Sequence, residues 1–309
     1  MKYLFTTILG SFVLDDRLTV SEEVPFNSIK DYERKSETEN KLRKKYPGLK
    51  GLPAEKLSGA LASLRDKKYF SPFHRQNLAL TKKAIKESVS EDQLIIQTIA
   101  NINELDKTGN LLVKRLREWY ALYFPEIEHR VPHQEKFVEL ISSRSREQLM
   151  KELKVSDTMG ANLEKSHVEE IILLANAVAA LYKLRKQHET YLEKVMKQYC
   201  PNLLELGGTT IGAKLLELGK GLKRLALLPA STIQLLGAEK ALFRHITSGS
   251  RSPKYGILYQ HPLVQKAGKD QRGKMARMLA DKLSLCARLD YFKGEFKAKE
   301  YRLGLEGKV

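Results

Sequence analysis

Residues 90–125 read SEDQLIIQTIANINELDKTGNLLVKRLREWYALYFP, and this stretch decides the fold. Its apolar residues recur mostly at steps of three and four, the period of one face of an α-helix. Ser90 and Gln93 have the spacing of a capping box, and Phe124-Pro125 ends the pattern. The sequence therefore predicts a helix of about 34 residues, about 51 Å long.

A second helix of matched length is predicted over residues 163–199, where Cys200-Pro201 ends the pattern. Between the two lies a shorter helical stretch, His133 to Leu153, which lets the chain reverse direction. Two long amphipathic helices joined in this way predict an antiparallel coiled-coil arm. An ordinary helix bundle within one domain is the alternative.

The two ends of the chain differ from this middle region. Residues 2–27 mix β-branched and aromatic residues with turn signals, which predicts two or three short strands, and residues 28–88 are charged and helical. After Pro201 the sequence predicts a compact all-α region with one irregular basic loop, residues 247–256. The predicted fold is mainly α, with an α/β domain at 1–89, the coiled-coil arm at 90–200 and an α-helical domain at 201–309.

Charge points to a polyanionic partner for the C-terminal region. The chain carries 54 Lys and Arg against 37 Asp and Glu, a formal net charge of +17. Residues 240–309 hold 16 Lys and Arg against 6 Asp and Glu, a surplus of 10. Because clustered basic residues attract polyanions, we expect this region to bind one.

Several classes of function lack their sequence signature. Cys200 and Cys286, the two cysteines, are far apart, so neither a disulfide framework nor a zinc cluster is indicated. His129 and His133 are interrupted by Pro132, and the glycine segment that starts at Gly207 lacks the Gly-Lys-Ser/Thr of a phosphate loop. We therefore predict no metal site and no catalytic centre.

No leader or membrane segment is expected at the sequence level. The stretch Met1 to Leu9 has no long apolar region with a cleavage motif, and no apolar run approaches the roughly 18 residues of a membrane span. A cytoplasmic protein without a membrane partner is the expectation.

The sequence predicts a helix from Ser231 to His245 and a last helix from Asp270 to Phe292. The last helix carries a basic stripe. The 11-residue step from Arg277 to Arg288 comes within about 20° of three full turns, so both lie on one face, about 16 Å apart, with Lys274. A solvated face with an Arg277 to Asp281 pair is the alternative. We expect the apolar residues of the opposite face to lie in the core: Met275, Met278, Leu279, Leu285, Cys286, Leu289 and Phe292.

The basic loop adds a second group of candidates. Arg251 and Lys254 sit among Ser, Gly and Pro, and we expect both to contact an RNA backbone. Tyr255 and Tyr259 could stack on unpaired bases, although core packing is the more frequent role of such tyrosines.

A family resemblance rests on specific motifs. GAEKALFR at 237–244, QHP at 260–262, LDKT at 105–108, REWY at 117–120, FPE at 124–126 and the segment 274–290 look like the archaeal Nop-domain scaffold protein of box C/D ribonucleoproteins, in the family of nucleolar proteins 56 and 58. The resemblance covers most of residues 90–292. Residues 1–89 are similar in layout more than in motif.

This resemblance implies a scaffold without catalytic activity. The N-terminal domain would dock the methyltransferase fibrillarin, the coiled coil would join two copies, and the C-terminal Nop domain would bind kink-turn RNA together with its small ribosomal-type protein. The assembly would position fibrillarin for guide-directed ribose 2′-O-methylation of ribosomal or transfer RNA. No cofactor is implied for this chain, because fibrillarin would bind the methyl donor. An RNA-modifying enzyme and a free-standing RNA-binding coiled coil are the alternatives.

The resemblance, together with the sequence patterns above, gives three groups of candidate site residues. The RNA-binding candidates are Lys240, Arg244, Arg251, Lys254, Lys274, Arg277 and Arg288. The candidates for a surface shared by RNA and protein are Gly237, Ala238, Glu239, Gln260 and His261. The candidates for the dimerisation seam are Ile95, Ile99, Ile102, Leu116, Ile172, Ala175, Ala179 and Tyr182. One departure is the loop Ser248 to Ser252, with serines where relatives tend to have more proline.

Overall fold

The chain divides into two compact units, Met1–Ser90 and Glu91–Val309, in a computed structural model that describes residues 1–307. The first unit contains a four-stranded sheet and the second is built from helices. The predicted fold class, mainly α with a small N-terminal sheet, is confirmed.

The N-terminal sheet has the strand order β3-β2-β1-β4, with β1 at Tyr3–Thr7, β2 at Gly10–Leu14, β3 at Val20–Pro25 and β4 at Lys50–Gly51. The first three strands are antiparallel, and β4 pairs with β1 in parallel. Because side chains alternate along a strand, Phe12 and Leu14 pack on one face and Val13 on the other. The helices are α1 Ile29–Glu33, α2 Lys35–Lys45, α3 Leu57–Ser63 and α4 Lys67–Glu87.

The second unit contains twelve α-helices within the described residues. They are α5 Glu91–Tyr120, α6 Ile127–Arg130, α7 Gln134–Ser143, α8 Arg146–Glu152, α9 Lys165–Tyr199, α10 Pro201–Gly219, α11 Leu222–Leu227, α12 Ala230–Leu235, α13 Glu239–Ser248, α14 Pro262–Lys266, α15 Arg272–Tyr291 and α16 Ala298–Glu306. A short 3-10 helix, Ile257–Gln260, precedes α14.

The two long helices, α5 and α9, pack against each other in antiparallel directions. Tyr199 donates a hydrogen bond to Asp92, and farther along the pair Arg185 contacts Asp106. Buried residues alternate at steps of four and three on both helices, the heptad pattern of a coiled-coil seam. They are Ile95, Ile99, Ile102, Gly109, Val113, Leu116 and Tyr120 on α5, and Ile171, Ala175, Val178, Leu192 and Met196 on α9.

A polar layer interrupts this seam midway. Arg185 forms ion pairs of 2.8 Å with Asp106 on α5 and with Glu135 on α7, and these partners raise its pKa, the Asp106 hydrogen bond foremost. Next to Arg185, the Tyr182 ring packs against Gly109. A Cβ at position 109 would lie 3.3 Å from this ring. Such a charged layer fixes the register of two helices, because only one alignment brings the charges together.

Two apolar cores flank the polar layer. One joins the C-terminal part of α5 and the N-terminal part of α9 to α7 and α8. The other joins the opposite ends of α5 and α9 to α10–α12 and α14–α16. At the second core, buried Asp290 accepts hydrogen bonds from the backbone N–H groups of Asn202 and Leu203, which satisfies the start of α10. The predicted boundary at 200 and 201 falls inside this shared core. The division into three functional regions stays a prediction.

The structure corrects two predicted helices and contains one more. The stretch 133–153 forms two helices, because Arg144 is extended and Ser145 caps α8 with a capping box. The stretch 231–245 is also two helices, α12 and α13, because Gly237 has φ +84° and ends the first. The C-terminal α16 was not predicted.

Candidate nucleic-acid interface

Helix α13 is exposed except at Leu242 and His245, which are half-buried. None of its residues is buried, and Phe243 and Ile246 leave 68% and 73% of their surface open to solvent. Gly237 sets its start, where the Gly237 N–H donates to the Glu239 carboxylate at 2.8 Å. An amphipathic helix with an uncovered apolar side presents that side to a partner.

The basic side chains of α13 are also exposed. Lys240 and Arg244 have no ion pair with any described residue, nor do Arg251 and Lys254 in the following loop. Of the predicted surface residues nearby, Glu239 is exposed and Ala238 half-buried. The helix therefore carries unpaired positive charge beside exposed apolar surface.

The loop after α13 is fixed by backbone contacts. The Gln234 side chain donates to the Lys254 carbonyl at 2.5 Å, and the Gly256 N–H donates to the Gln234 carbonyl at 2.9 Å. A Cβ at Gly256 would lie 2.0 Å from the Leu236 carbonyl oxygen, so only glycine fits there. The His245 ring also contacts the Ser250 carbonyl. These contacts anchor both ends of the loop that carries Arg251 and Lys254.

Tyr255 and Tyr259 stack on each other, with centroids 5.0 Å apart and ring planes 14° apart. Tyr255 packs against the core, and Arg272 donates to the Tyr259 hydroxyl at 3.3 Å. The core-packing interpretation therefore holds for Tyr255. Base stacking stays a prediction for Tyr259, which is 40% exposed.

Helix α15 places its basic stripe as the face calculation predicts. Lys274, Arg277 and Arg288 are exposed. On the opposite side Met275, Leu279 and Cys286 are buried, with burial raising the pKa of the Cys286 thiol to about 12. Met278, Leu285 and Leu289 are half-buried, and Phe292 is 68% exposed, so its assignment to the core is wrong.

The stripe connects to its neighbours in two places. The Lys254 side chain lies over Gly273, where a Cβ would come within 3.5 Å of the lysine Cδ, so the basic loop reaches the start of α15. Arg288 donates from Nε to the Ala226 carbonyl on α11 at 3.1 Å. The alternative pair of Arg277 with Asp281 does not form; Asp281 contacts Lys282 instead, at 3.4 Å.

Helix α11 supplies two basic residues that sequence reasoning missed. Lys223 and Arg224 are exposed, on a helix that packs against α15 beside Arg288. The sequence signal was present in the run Lys220 to Arg224, but nothing in the sequence placed this run beside α15. We call the exposed basic residues of α11, α13, α15 and the loop 249–256 the basic face.

His261 is not part of an accessible surface. It is 7% exposed, with Nε2 placed 2.9 Å from the Leu206 carbonyl and Nδ1 accepting the Leu263 N–H at 3.2 Å. Burial lowers the pKa of this imidazole. Its assignment to the RNA and protein surface is therefore corrected: His261 caps α14 from the inside, while Gln260 and Gly237 are exposed.

The predicted dimerisation seam is also corrected. Ile95, Ile99, Ile102, Leu116 and Ala175 are buried within one chain, in the contact between α5 and α9. Ile172, Ala179 and Tyr182 are half-buried against the same core. The five buried side chains have no surface left for a second copy, so they join the two helices of one chain. For the three half-buried residues, a contact with a second copy stays a prediction.

Other chemistry is limited in the described residues. Among residues 1–307, no group of three or more His, Cys, Asp or Glu is placed to hold a metal ion. Cys200 and Cys286 are buried free thiols, and burial raises the pKa of both. Within this range no helix is both long and apolar enough for a bilayer.

Comparison with known proteins identifies a family. The family model described as "Nop: snoRNA binding domain, fibrillarin" matches residues 101–308. A NOP5 family protein of Methanocaldococcus jannaschii is 45% identical over 244 residues, which cover 74% of this chain and 59% of the relative. Nucleolar protein 56 of Schizosaccharomyces pombe is 35% identical over 253 residues, which cover 73% of this chain and 51% of the relative.

The chain thus spans about half to three fifths of the length of these curated relatives. Among solved structures, a chain titled as part of a fibrillarin/Nop5p complex aligns over 98% of this chain and 99% of its own, at 24% identity and a TM-score of 0.46.

Proposed function

Because the chain belongs to the Nop family, we propose that it is a non-catalytic scaffold of a box C/D ribonucleoprotein, which joins guide RNA to the methyltransferase fibrillarin. The observation that carries this proposal is the basic face, whose predicted RNA-binding side chains are all exposed. Except for Arg288, none of them forms an ion pair or a side-chain hydrogen bond with any of residues 1–307. Phosphate contacts supply most of the affinity of such a surface and make it salt-dependent.

Helix α13 fits a partner that is RNA and protein together. Lys240 and Arg244 offer charge for phosphates, and Phe243 and Ile246 offer apolar area that RNA phosphates do not use. A composite partner, a kink-turn RNA with its small ribosomal-type protein, meets both requirements at once. The predicted function of residues 237–244 as a shared surface is therefore kept as part of the proposal.

Fibrillarin would bind the N-terminal unit. A cavity of about 470 Å³ lies beside α3 and α4, next to the turn between β1 and β2, and exposed Leu61, Phe70 and Phe73 line it. Exposed aromatic groups around an apolar pocket are typical of protein docking sites. We expect Phe70→Asp to abolish co-purification of fibrillarin while RNA binding is retained.

Two copies would associate through the back of α9. Leu173, Ala177, Ala180, Leu184 and Tyr191 are exposed, at steps of four, three, four and seven. This is a heptad stripe with small residues at its centre, on the side of α9 turned away from α5. It replaces the buried seam as the proposed contact between copies.

A gel shift on a box C/D guide RNA tests the scaffold function, with and without the small kink-turn-binding protein and at several salt concentrations. We expect a shift that requires the small protein. Phe243→Ala should weaken it, whereas Phe292→Ala, with an equally exposed ring directly after α15, should not. Strong binding to any RNA without the small protein would instead make this chain a general basic RNA binder. Methyl transfer by the chain alone would contradict the non-catalytic function.

A further inference from the structure

A cavity of about 670 Å³ lies between α12, α15 and α16. Its volume is within the roughly 300–1,000 Å³ of ligand sites. Helix α16 closes one side of it, so the cavity exists only because residues 298–306 fold back against α15. The cavity borders the basic face at Arg277, a residue of the basic face that also lines the cavity.

Apolar groups form part of the cavity wall. Met278, Tyr301 and Leu305 line it, and the Lys282 ammonium lies 5.2 Å from the centroid of the Tyr301 ring. A thioether, an aromatic ring and an aliphatic side chain accommodate a flat unsaturated ring, because each provides dispersion contacts and the tyrosine can also stack.

The polar part of the wall combines the cations of Arg277 and Lys282 with hydrogen-bond acceptors. Asp281 and Glu300 contribute carboxylates, and Ser231 contributes a hydroxyl. Lys282 neutralises Asp281 in part, at 3.4 Å. Carboxylates repel a phosphate but accept hydrogen bonds from the amino groups on the edge of a nucleobase. The cavity is thus suited to a base that donates hydrogen bonds to these carboxylates.

Arg277 supplies the complementary charge. It lines the cavity and is exposed, and its guanidinium forms no ion pair or hydrogen bond with any residue between 1 and 307. A guanidinium in this position can bind the phosphate of a nucleotide whose base lies inside.

We propose that this cavity binds one unstacked nucleotide of an RNA, with an amino-bearing base between Tyr301 and the carboxylates and the adjoining phosphate on Arg277. The inference rests on the proposed RNA-scaffold function and extends it. The basic face would then hold the RNA backbone, and the cavity would read one base.

Isothermal titration of the full chain with 5′-CMP and 5′-UMP tests this. The two pyrimidines have the same size, but only cytosine carries an exocyclic amino group, so 5′-CMP should bind at least about threefold more tightly. Gly304→Leu should reduce 5′-CMP affinity at least about tenfold. The Gly304 Cβ position is open, and leucine is the better helix former, so folding is preserved while the cavity is filled. Leu303→Ala, on the exposed side of α16, is the matched control and should change affinity less than about twofold.

Arg277→Ala should lower the affinity for 5′-CMP to that for cytidine, which has no phosphate. Equal binding of 5′-CMP to the wild type and to Gly304→Leu would overturn the proposal, as would no saturable binding at all. Guide-RNA assembly is measured separately on the same variants. If the wild type assembles with guide RNA but binds no mononucleotide, only this inference fails. If mononucleotides bind and assembly does not occur, the scaffold function fails instead.

Discussion

The helix pair α5–α9 and the basic face differ in whether their side chains are buried and paired within the chain. In the helix pair, apolar residues are buried at heptad spacing and Arg185 is paired with Asp106 and Glu135. In the basic face, Lys240, Arg244 and Arg277 are exposed and have no ion pair within residues 1–307. The first region satisfies its groups within the chain and contributes stability, whereas the second leaves them for a partner.

The largest effect should follow from a charge inside the helix pair. Ile99 is 1% exposed, so Ile99→Asp should lower the free energy of unfolding by about 3–5 kcal/mol, because an unpaired carboxylate would be buried. Chemical denaturation measures this loss. Leu173→Asp, at a residue 63% exposed on α9, should cost the folded monomer less than about 0.5 kcal/mol.

Leu173→Asp also tests which surface forms the contact between two copies. If the exposed stripe of α9 joins two chains, sedimentation should show Leu173→Asp as a folded monomer. A stable Ile99→Asp variant that is merely monomeric would instead restore the seam predicted from the sequence.

A smaller loss is expected at the start of α10. Asp290→Asn replaces a carboxylate oxygen by an amide N–H group, which then faces backbone N–H donors of Asn202 or Leu203. The cost should be about 1–3 kcal/mol, although burial raises the pKa of Asp290 and already opposes its charge. Thermal unfolding gives the comparison with Asp281→Asn, an exposed residue of the same helix, which should be nearly neutral.

His261 should make stability depend on pH. Its hydrogen bonds fit one neutral tautomer, because a proton on Nδ1 would face the Leu263 N–H. Burial, with a smaller contribution from the charge of Arg302, lowers the pKa of the folded state below the unfolded value of about 6.5. The unfolded chain therefore takes up the proton more readily, so this contribution to stability is present above about pH 6.5 and is lost as the pH falls.

Melting curves between about pH 7.5 and about pH 5, a range that includes the pKa of the unfolded imidazole, would measure that loss. His261→Asn should be less stable at pH 7 by about 1 kcal/mol, because one hydrogen bond is lost, but its stability should fall less towards low pH. Parallel curves for the two proteins would contradict the predicted role of the imidazole.

The smallest effect on stability is expected in the basic face. Arg277→Ala should change the free energy of unfolding by less than about 0.5 kcal/mol, and Arg288→Ala by little more, since Arg288 has one hydrogen bond to Ala226. Both should flatten the salt dependence of RNA binding, by about 0.7–0.9 of a logarithmic unit per lost phosphate contact. Arg115→Ala, on α5, is the control; an unchanged slope in the two α15 variants would exclude phosphate contact there.

The sequence by itself determined the elements whose patterns are local. The three- and four-residue steps of residues 90–125 predicted a long helix, and a fixed angle of 100° per residue placed Arg277 and Arg288 on one face. Both results depend only on helix geometry, which is the same in any helix. The mainly α class and the small N-terminal sheet followed from the same kind of pattern.

Tertiary structure decided which apolar and polar groups are enclosed. Ile99 and Leu173 are both apolar residues of long helices, yet one is buried and the other exposed, because burial depends on which face meets the partner helix. His261 lies in a motif that predicts a surface, but its ring is buried against the carbonyl of Leu206, a residue 55 positions earlier in the chain. The cavity beside Arg277 likewise needs α16, 20 residues or more along the chain, to fold back. Contacts between distant residues leave no periodic signal in a single sequence, so only the fold reveals them.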